Sequence, residues 1–241
     1  VPDRSQCGSS KWAGAPGASV ERVPLSTADM EFPIAPAIVE QLKDLVDTTI
    51  LGYTRPTQNY YDAVCGWMAR RHDYRVCPEE IVTTPGVVYA LGMLVEAASQ
   101  PGDSVIVMPP VYYPFDMAVA ARGRNLLYNP LALEEGENGR YRIQYEQLEQ
   151  LAARPDAKVL LFCNPHNPVG QVWSREELEK VVEICARHNV FIIDDEIHND
   201  LIMPGYKHTV LATVSEQARQ ISAVCTAPSK SFNLAGLQAS N

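Results

Sequence analysis

The sequence contains no apolar run approaching the roughly 18 to 20 residues that a membrane-spanning helix needs. Its N-terminal VPDRSQCGSS also lacks the basic region followed by an apolar one that marks a secretory leader. No membrane partner is expected, and the protein is expected in the cytoplasm. Basic side chains are scarce: 20 Lys and Arg stand against 29 Asp and Glu, for a formal net charge of −9. Lys and Arg supply the phosphate contacts of nucleic-acid and anionic-membrane surfaces, so a nucleic-acid partner is not expected either. The six cysteines (Cys7, Cys65, Cys77, Cys163, Cys185 and Cys225) include no C-x-x-C pair, and three lie in apolar segments where a small hydrophobe fits. Reduced thiols are expected. His188, His198 and His208 are ten apart without a nearby thiolate, which is not zinc spacing, and no metal is expected. The chain also lacks a G-x-G-x-x-G after a strand, a P-loop and a G-x-S-x-G elbow, so the nucleotide-binding and hydrolase readings fall away.

What is present is an alternation of helical and strand patterns. The 241 residues suffice for one large domain or two small ones. The first thirty-odd residues are rich in Ser, Gly, Pro and Ala and read as an arm. Ala37 to Asp47 puts Ile38, Leu42, Leu45 and Val46 on one stripe, the pattern of a packed amphipathic helix. A second helix runs from about Tyr60 to His72, with Arg70 and Arg71 at the negative end of its dipole. Short apolar runs then follow: Ile81–Thr83, Ser104–Met108, Lys158–Cys163, Val190–Asp194 and Ile221–Thr226. Helical patterns separate them, including Ser174 to His188, which opens on the capping box Ser174-x-x-Glu177. Apolar runs without alternation predict a mainly parallel sheet covered on both faces, a three-layer α/β/α class with ligands at the carboxyl ends of its strands.

Polar residues gather at three of those ends: Asn164 to Gly170, Asp194 to His198, and Ala227 to Asn233. Of the six lysines, Lys43 and Lys180 sit on helix faces that want solvated charge, Lys158 opens a strand, and Lys11 and Lys207 have loop-like surroundings. Lys230 alone follows a buried strand at its carboxyl end. It is either a desolvated amine able to attack an aldehyde, or a strand cap paired with an acid of the Asp194–Glu196 cluster. Asp194 and Asp195 must point to opposite faces of an extended segment. The inward one either holds a protonated ring nitrogen of a heteroaromatic cofactor or caps the next helix. His198 is either on the side of Asp195 or a surface or hydrogen-bonded core histidine. Gly86, Val87 and Val88 open a helix with no acid in its first turn, and their N–H groups suit a phosphate, unless Thr84 caps that helix itself. Asn167-Pro168-Val169-Gly170 is a tight turn whatever else it does. Tyr112 and Tyr113 offer either a stacking face or rim packing.

Taken in order, Gly86-Val87-Val88, Tyr112, Asn164-Pro165-x-Asn167-Pro168-x-Gly170, Asp195-x-x-His198 and Ser229-Lys230 resemble the pyridoxal-phosphate enzymes of the aspartate-aminotransferase superfamily, fold-type I. Ala28-Asp29-Met30-Glu31-Phe32, Gly52-Tyr53-Thr54, Asp195-Glu196-Ile197-His198 and Ser229 to Leu237 resemble the MalY/PatB-type cystathionine β-lyase, or C–S lyase, branch. The match runs from about Arg4 to Leu237. The resemblance implies pyridoxal 5'-phosphate carried covalently by Lys230, with Asp195 on its ring nitrogen, Tyr112 stacked on the ring, and Asn167 and His198 near its phenolic oxygen. It also implies a phosphate held by Gly86, Val87, Val88, Ser229 and Thr226, with Tyr53 reaching it from a second subunit of a homodimer. One departure is Ala227, where many relatives carry a hydroxyl three residues before the lysine, which shifts weight to Thr226. The implied reaction is β-elimination from cystathionine or another S-substituted cysteine to a thiol, pyruvate and ammonia. Lys230, kept neutral by a dry site, would be the base at Cα. An aminotransferase, and a regulatory relative that turns nothing over, are the alternatives. The last residues, FNLAGLQASN, end without a stop signal. The resemblance therefore implies an arm and small-domain segment over 1–45 and a cofactor-binding large domain over 46–241, with the small domain largely absent.

Overall fold

The computed structural model describes residues 1–136 and 139–241. In chain order the helices and strands are α1 (Ser10–Ala13), α2 (Pro36–Thr48), α3 (Gln58–His72), α4 (Val87–Ala98), β1 (Ser104–Val107), α5 (Pro114–Ala120) and β2 (Asn125–Tyr128). Then come β3 (Ala132–Leu133), β4 (Tyr141–Arg142), α6 (Tyr145–Ala152), β5 (Ala157–Cys163), α7 (Arg175–Arg187), β6 (Phe191–Asp195), α8 (Glu216–Gln220), β7 (Ser222–Cys225) and α9 (Pro228–Ser231). They form two compact units. One comprises Val1–Arg55 with Pro228–Gln238, the other Pro56–Ala227 with Ala239–Asn241.

The larger unit is built on a five-stranded sheet in the order β2-β1-β5-β6-β7, with every neighbouring pair parallel. Strands β3 and β4 form a separate antiparallel pair. Successive side chains of a strand point to opposite faces, and both faces here are apolar. Ile106, Leu160, Phe162 and Ile192 pack against Leu148 of α6 and Leu178, Val181 and Cys185 of α7. Val105, Val107, Val159, Leu161 and Ile193 pack on the other side against Val87, Leu91 and Val95 of α4 and Phe115 and Val119 of α5. This is the three-layer α/β/α arrangement expected from the unalternated apolar runs. Its strand order reverses between β1 and β5, the place where such sheets open a crevice at their carboxyl ends. The capping box of α7 forms as expected: the Ser174 hydroxyl accepts from Glu177 N at 3.2 Å, and Glu177 Oε2 accepts from Ser174 N at 2.8 Å.

Several expectations are corrected. Ile81–Thr83 is not a strand, because a strand needs a continuous ladder and the pairing here is one bridge just beyond the segment, Thr84 with Ser240. Asn241 exchanges both backbone hydrogen bonds with Thr226 at 2.9 and 3.0 Å. The α2 stripe forms its helix without a fully buried residue: Ile38 and Leu42 are partly buried, while Leu45 and Val46 are 47% and 62% exposed. Strand β2 and helix α6 had no matching sequence expectation. Lys11 is not in a loop: it lies in α1, 4% exposed, paired with Glu31 at 3.0 Å and Asp29 at 3.4 Å. All six cysteines are free, with Cys163, Cys185 and Cys225 buried.

Phe162 is 1% exposed and its ring lies 6.1 Å from that of Trp173. Phe162→Ala is expected to cost about 3–5 kcal/mol of unfolding free energy from lost burial and the cavity left behind. Leu45→Ala on the exposed part of the α2 stripe is expected to change it by no more than about 0.5 kcal/mol. Urea titrations followed by circular dichroism measure both.

Candidate active site

The site begins with β6. Both faces of this strand are buried, so Asp194 and Asp195 are carried to opposite sides with nowhere solvated to go. Asp195 sits in register between Cys163 of β5 and Cys225 of β7, and both of these pack on the face covered by α4. Asp195 follows Ile193 on that face. It is 4% exposed, and its Oδ1 accepts from Ile197 N at 3.1 Å. The negative charge is felt around it: burial, and then Asp195, push the Cys163 and Cys225 thiols well up. The phenol of half-buried Tyr112 is also raised, first by burial, then by Tyr113 and Asp195. The charge of Asp195 therefore reaches Tyr112.

Helix α4 starts on the same face. Its N-cap is Gly86, at φ +97°, a conformation that L side chains rarely adopt. No side chain caps the helix and its first turn carries no acid. Thr84 is not the cap, since its hydroxyl lies 2.6 Å from that of Ser240. The first-turn N–H groups at Val87 and Val88 have no intrahelical acceptor and are positioned, with the helix dipole, to receive an anion.

The loops after β1 and β5 flank the reversal in strand order. His166 Nε2 donates to the Pro110 carbonyl at 3.0 Å and ties one loop to the other. Burial lowers this histidine to about 4, so it is neutral. Asn167 and His198 line a cavity of about 700 Å³, together with Arg140, Trp173, Tyr206 and Lys207. Thr226 instead lines an apolar cavity of about 420 Å³ with Thr84 and Cys225. Asp195 and Tyr112 line neither of these cavities.

The remaining candidates belong to the smaller unit. Tyr53 is fully exposed. Ser229 accepts from Leu234 N through its carbonyl at 2.9 Å. Lys230 lies on α9, and its Nζ donates to the Ala28 carbonyl at 2.8 Å. No residue of α9 is buried, so the expected dry surroundings of this amine are not built by the helix that carries it. A one-turn helix is too short to bury a face of its own.

Sequence reasoning missed the groups behind the strand. Glu196 shares the Asp194 side and is fully buried. Its Oε1 accepts from Leu211 N at 3.0 Å, and its Oε2 lies 2.8 Å from His208 Nε2. Asn164 Nδ2 donates to Asp194 Oδ2 at 3.4 Å and to the Thr209 carbonyl at 3.1 Å. Burial, then Glu196, raises Asp194 well up; burial raises Glu196 to about 8 and lowers His208 to about 4. Burial thus disfavours the charged form of both partners in the Glu196–His208 contact. Next to it, Asp200 accepts from Trp67 Nε1 at 3.1 Å and lies 2.9 Å from His72 Nε2. The segment bearing Asp195 and His198 is thus anchored from behind at Glu196 and again at Asp200. The only sequence signal was the spacing of acids at 194, 196 and 200.

The family model for aminotransferase class I and II matches residues 20–239. The chain belongs to the class I and II aminotransferase family. Within that family it is 49% identical over 220 residues to cystathionine beta-lyase PatB of Bacillus subtilis, covering 91% of this chain and 56% of that protein. It is 32% identical over 220 residues to protein MalY of Escherichia coli, covering 91% and 55%. The structure of cystalysin from Treponema denticola, which contains a pyridoxal 5'-phosphate cofactor, superposes with a TM-score of 0.94 at 43% identity, covering all of this chain and 61% of that one. The pyridoxal-phosphate-bound C–S lyase of Staphylococcus hominis gives 0.90 at 30% identity, covering all of this chain and 61% of that one. This family member thus spans just over half the length of the curated relatives it matches, and its α/β architecture is the one expected.

A folded-state Glu196 at about 8 against an ordinary 4.5 binds a proton that the unfolded chain has lost. Its stabilising contribution is full below 4.5 and is lost as pH rises through about 8. His166 and His208, lowered to about 4 from 6.5, act in the opposite sense, but only below 6.5. Between pH 6.5 and 8 the melting temperature is therefore expected to fall. Glu196→Gln, which keeps an acceptor for Leu211 and a donor for His208, is expected to flatten that fall. Calorimetric scans across this pH range measure it.

Proposed function

We propose that this chain is the cofactor-binding part of a pyridoxal-phosphate-dependent carbon–sulfur β-lyase. It would cleave cystathionine or related S-substituted cysteines to a thiol, pyruvate and ammonia. The observation that carries the reading is the placement of a buried carboxylate, Asp195, and an uncapped helix start, Gly86 to Val88, on one face of the sheet at the carboxyl ends of its strands. That donor set suits pyridoxal phosphate: a protonated ring nitrogen satisfies the buried carboxylate, and the phosphate meets free N–H groups. The likeness to PatB, named a cystathionine beta-lyase, supports the lyase outcome over transamination.

When bound, pyridoxal phosphate supplies an aldehyde for a lysine amine and a ring that accepts the electron pair freed at the substrate's Cα. The chain's own residues do the rest. Lys230 would provide that amine and would take the Cα proton as general base. Asp195 would keep the proton on the ring nitrogen. Tyr112 would face the ring, Asn167 and His198 would serve its phenolic oxygen, and Val87, Val88, Ser229 and Thr226 would hold the phosphate. Tyr53 would serve the site of a second subunit in a cytoplasmic homodimer. In this reading residues 46–241 supply the large, cofactor-binding domain, and residues 1–45 the arm and small-domain segment.

Supplying cystathionine with and without a 2-oxo acid separates the lyase from an aminotransferase. Pyruvate is expected to form in both cases, and formation that strictly needs the acceptor overturns the lyase reading. Lys230→Ala is expected to abolish borohydride-trappable cofactor and to lower kcat by at least about 10²–10⁴-fold, the usual worth of a positioned base.

A further inference from the structure

The smaller unit contains a lattice that the roles above leave unused. Residues 28–32 run between two other segments, and their groups alternate between them. On one side lie the side chains of Asp29 and Glu31. Asp29 accepts from Arg4 Nη2 at 2.8 Å; Glu31 accepts from Arg4 Nη1 at 3.0 Å and Trp12 Nε1 at 3.2 Å. Lys11, buried between the two carboxylates, also donates to the Asp29 carbonyl at 2.9 Å. Two cations against two anions make the cluster neutral, which allows it to be buried. On the other side lie the backbone groups of residues 28, 30 and 32. Asn233 Oδ1 accepts from Met30 N at 2.9 Å, while its Nδ2 donates to the Met30 carbonyl at 3.0 Å and the Phe32 carbonyl at 2.9 Å. The Ala28 carbonyl accepts from Lys230 Nζ at 2.8 Å.

One side-chain amide thus makes three bonds to a backbone some two hundred residues distant, and the Ala28 carbonyl, two residues before Met30, receives the lysine. Asn233 itself has φ +57°, the left-handed region in which Asn is enriched among residues other than glycine. This conformation turns the side chain of residue 233 onto the same segment that Lys230 reaches.

We propose that Asn233 is a positioning residue for Lys230: by fixing the backbone of Met30 and Phe32 it holds the Ala28 carbonyl in place as the seat of the lysine amine. The proposal rests on the reading that Lys230 carries the cofactor. A carbonyl that accepts from the amine favours its protonated form and fixes its direction. Loosening the seat therefore lowers the pH at which the amine becomes a nucleophile, and it also makes a correctly aimed amine rarer.

The test strips purified holoenzyme of its cofactor and follows recapture of pyridoxal phosphate by visible absorbance across pH. In this capture the lysine nitrogen forms a double bond to the aldehyde carbon and the aldehyde oxygen leaves as water. Borohydride reduction and peptide mass spectrometry then locate the label. Asn233→Gly removes the side chain while tolerating the positive φ. Its capture profile is expected to move to lower pH by roughly half a unit, the scale of one lost hydrogen bond, and its plateau rate to fall severalfold. A variant that melts earlier but keeps the wild-type midpoint overturns the proposal and leaves the cofactor reading intact. If the glycine variant does not fold, Asn233→Ser, which cannot reach both carbonyls, decides by the same comparison. A wild-type label anywhere other than Lys230 overturns the cofactor reading, and the proposal with it.

Discussion

A strand buried on both faces has no solvent side, and this constraint organises the larger unit. Every residue of β6 beyond Phe191 is buried, so a carboxylate on it needs a neutralising proton, a hydrogen-bond donor or a ligand. Asp194 and Asp195 meet the same requirement in different ways because alternation sends them to different layers. On the α6 and α7 side Asp194 joins Asn164, Glu196 and His208, a set in which burial pushes both acids up and the histidine down. On the α4 side Asp195 accepts one backbone N–H and lies among thiols and a phenol.

This difference separates support from chemistry. The rear network ties the strand to the 208–211 segment, where Glu196 bonds both His208 and Leu211. It holds the turn after β6 in one place. The front carboxylate shares its face with a helix start that carries no cap of its own, so positive partial charge and a buried anion lie on the same layer.

The smaller unit uses the same alternation without a sheet. Asp29 and Glu31 turn to the cations of the N-terminal residues, while the backbone of Ala28, Met30 and Phe32 turns to Lys230 and Asn233. Buried Lys11 could not sit there alone; the two carboxylates beside it make its burial tolerable. The lysine expected to do chemistry and the lysine thought to be unremarkable thus border the same five residues.

Much of this was legible in the sequence because it depends on local period. Unalternated runs such as KVLLFC announce strands buried on both sides, and Ser174-x-x-Glu177 announces its helix start. A pair of adjacent acids at a strand end must divide between faces. What period could not reveal was partnership. Ile81–Thr83 has the composition of a strand and lacks a ladder, while the α2 stripe has the pattern of a packed helix and nothing fully buried on it. Neither the Glu196–His208 pair nor the three bonds of Asn233 to residues 30 and 32 leaves a mark at any fixed spacing. The sequence by itself determined the fold class, the family and the residues at the strand ends, because side-chain period and motif order are properties of the chain. Only the tertiary structure decided which acid faces α4, which acids burial pushes up and which carbonyl receives Lys230. Those depend on burial and on partners distant along the chain.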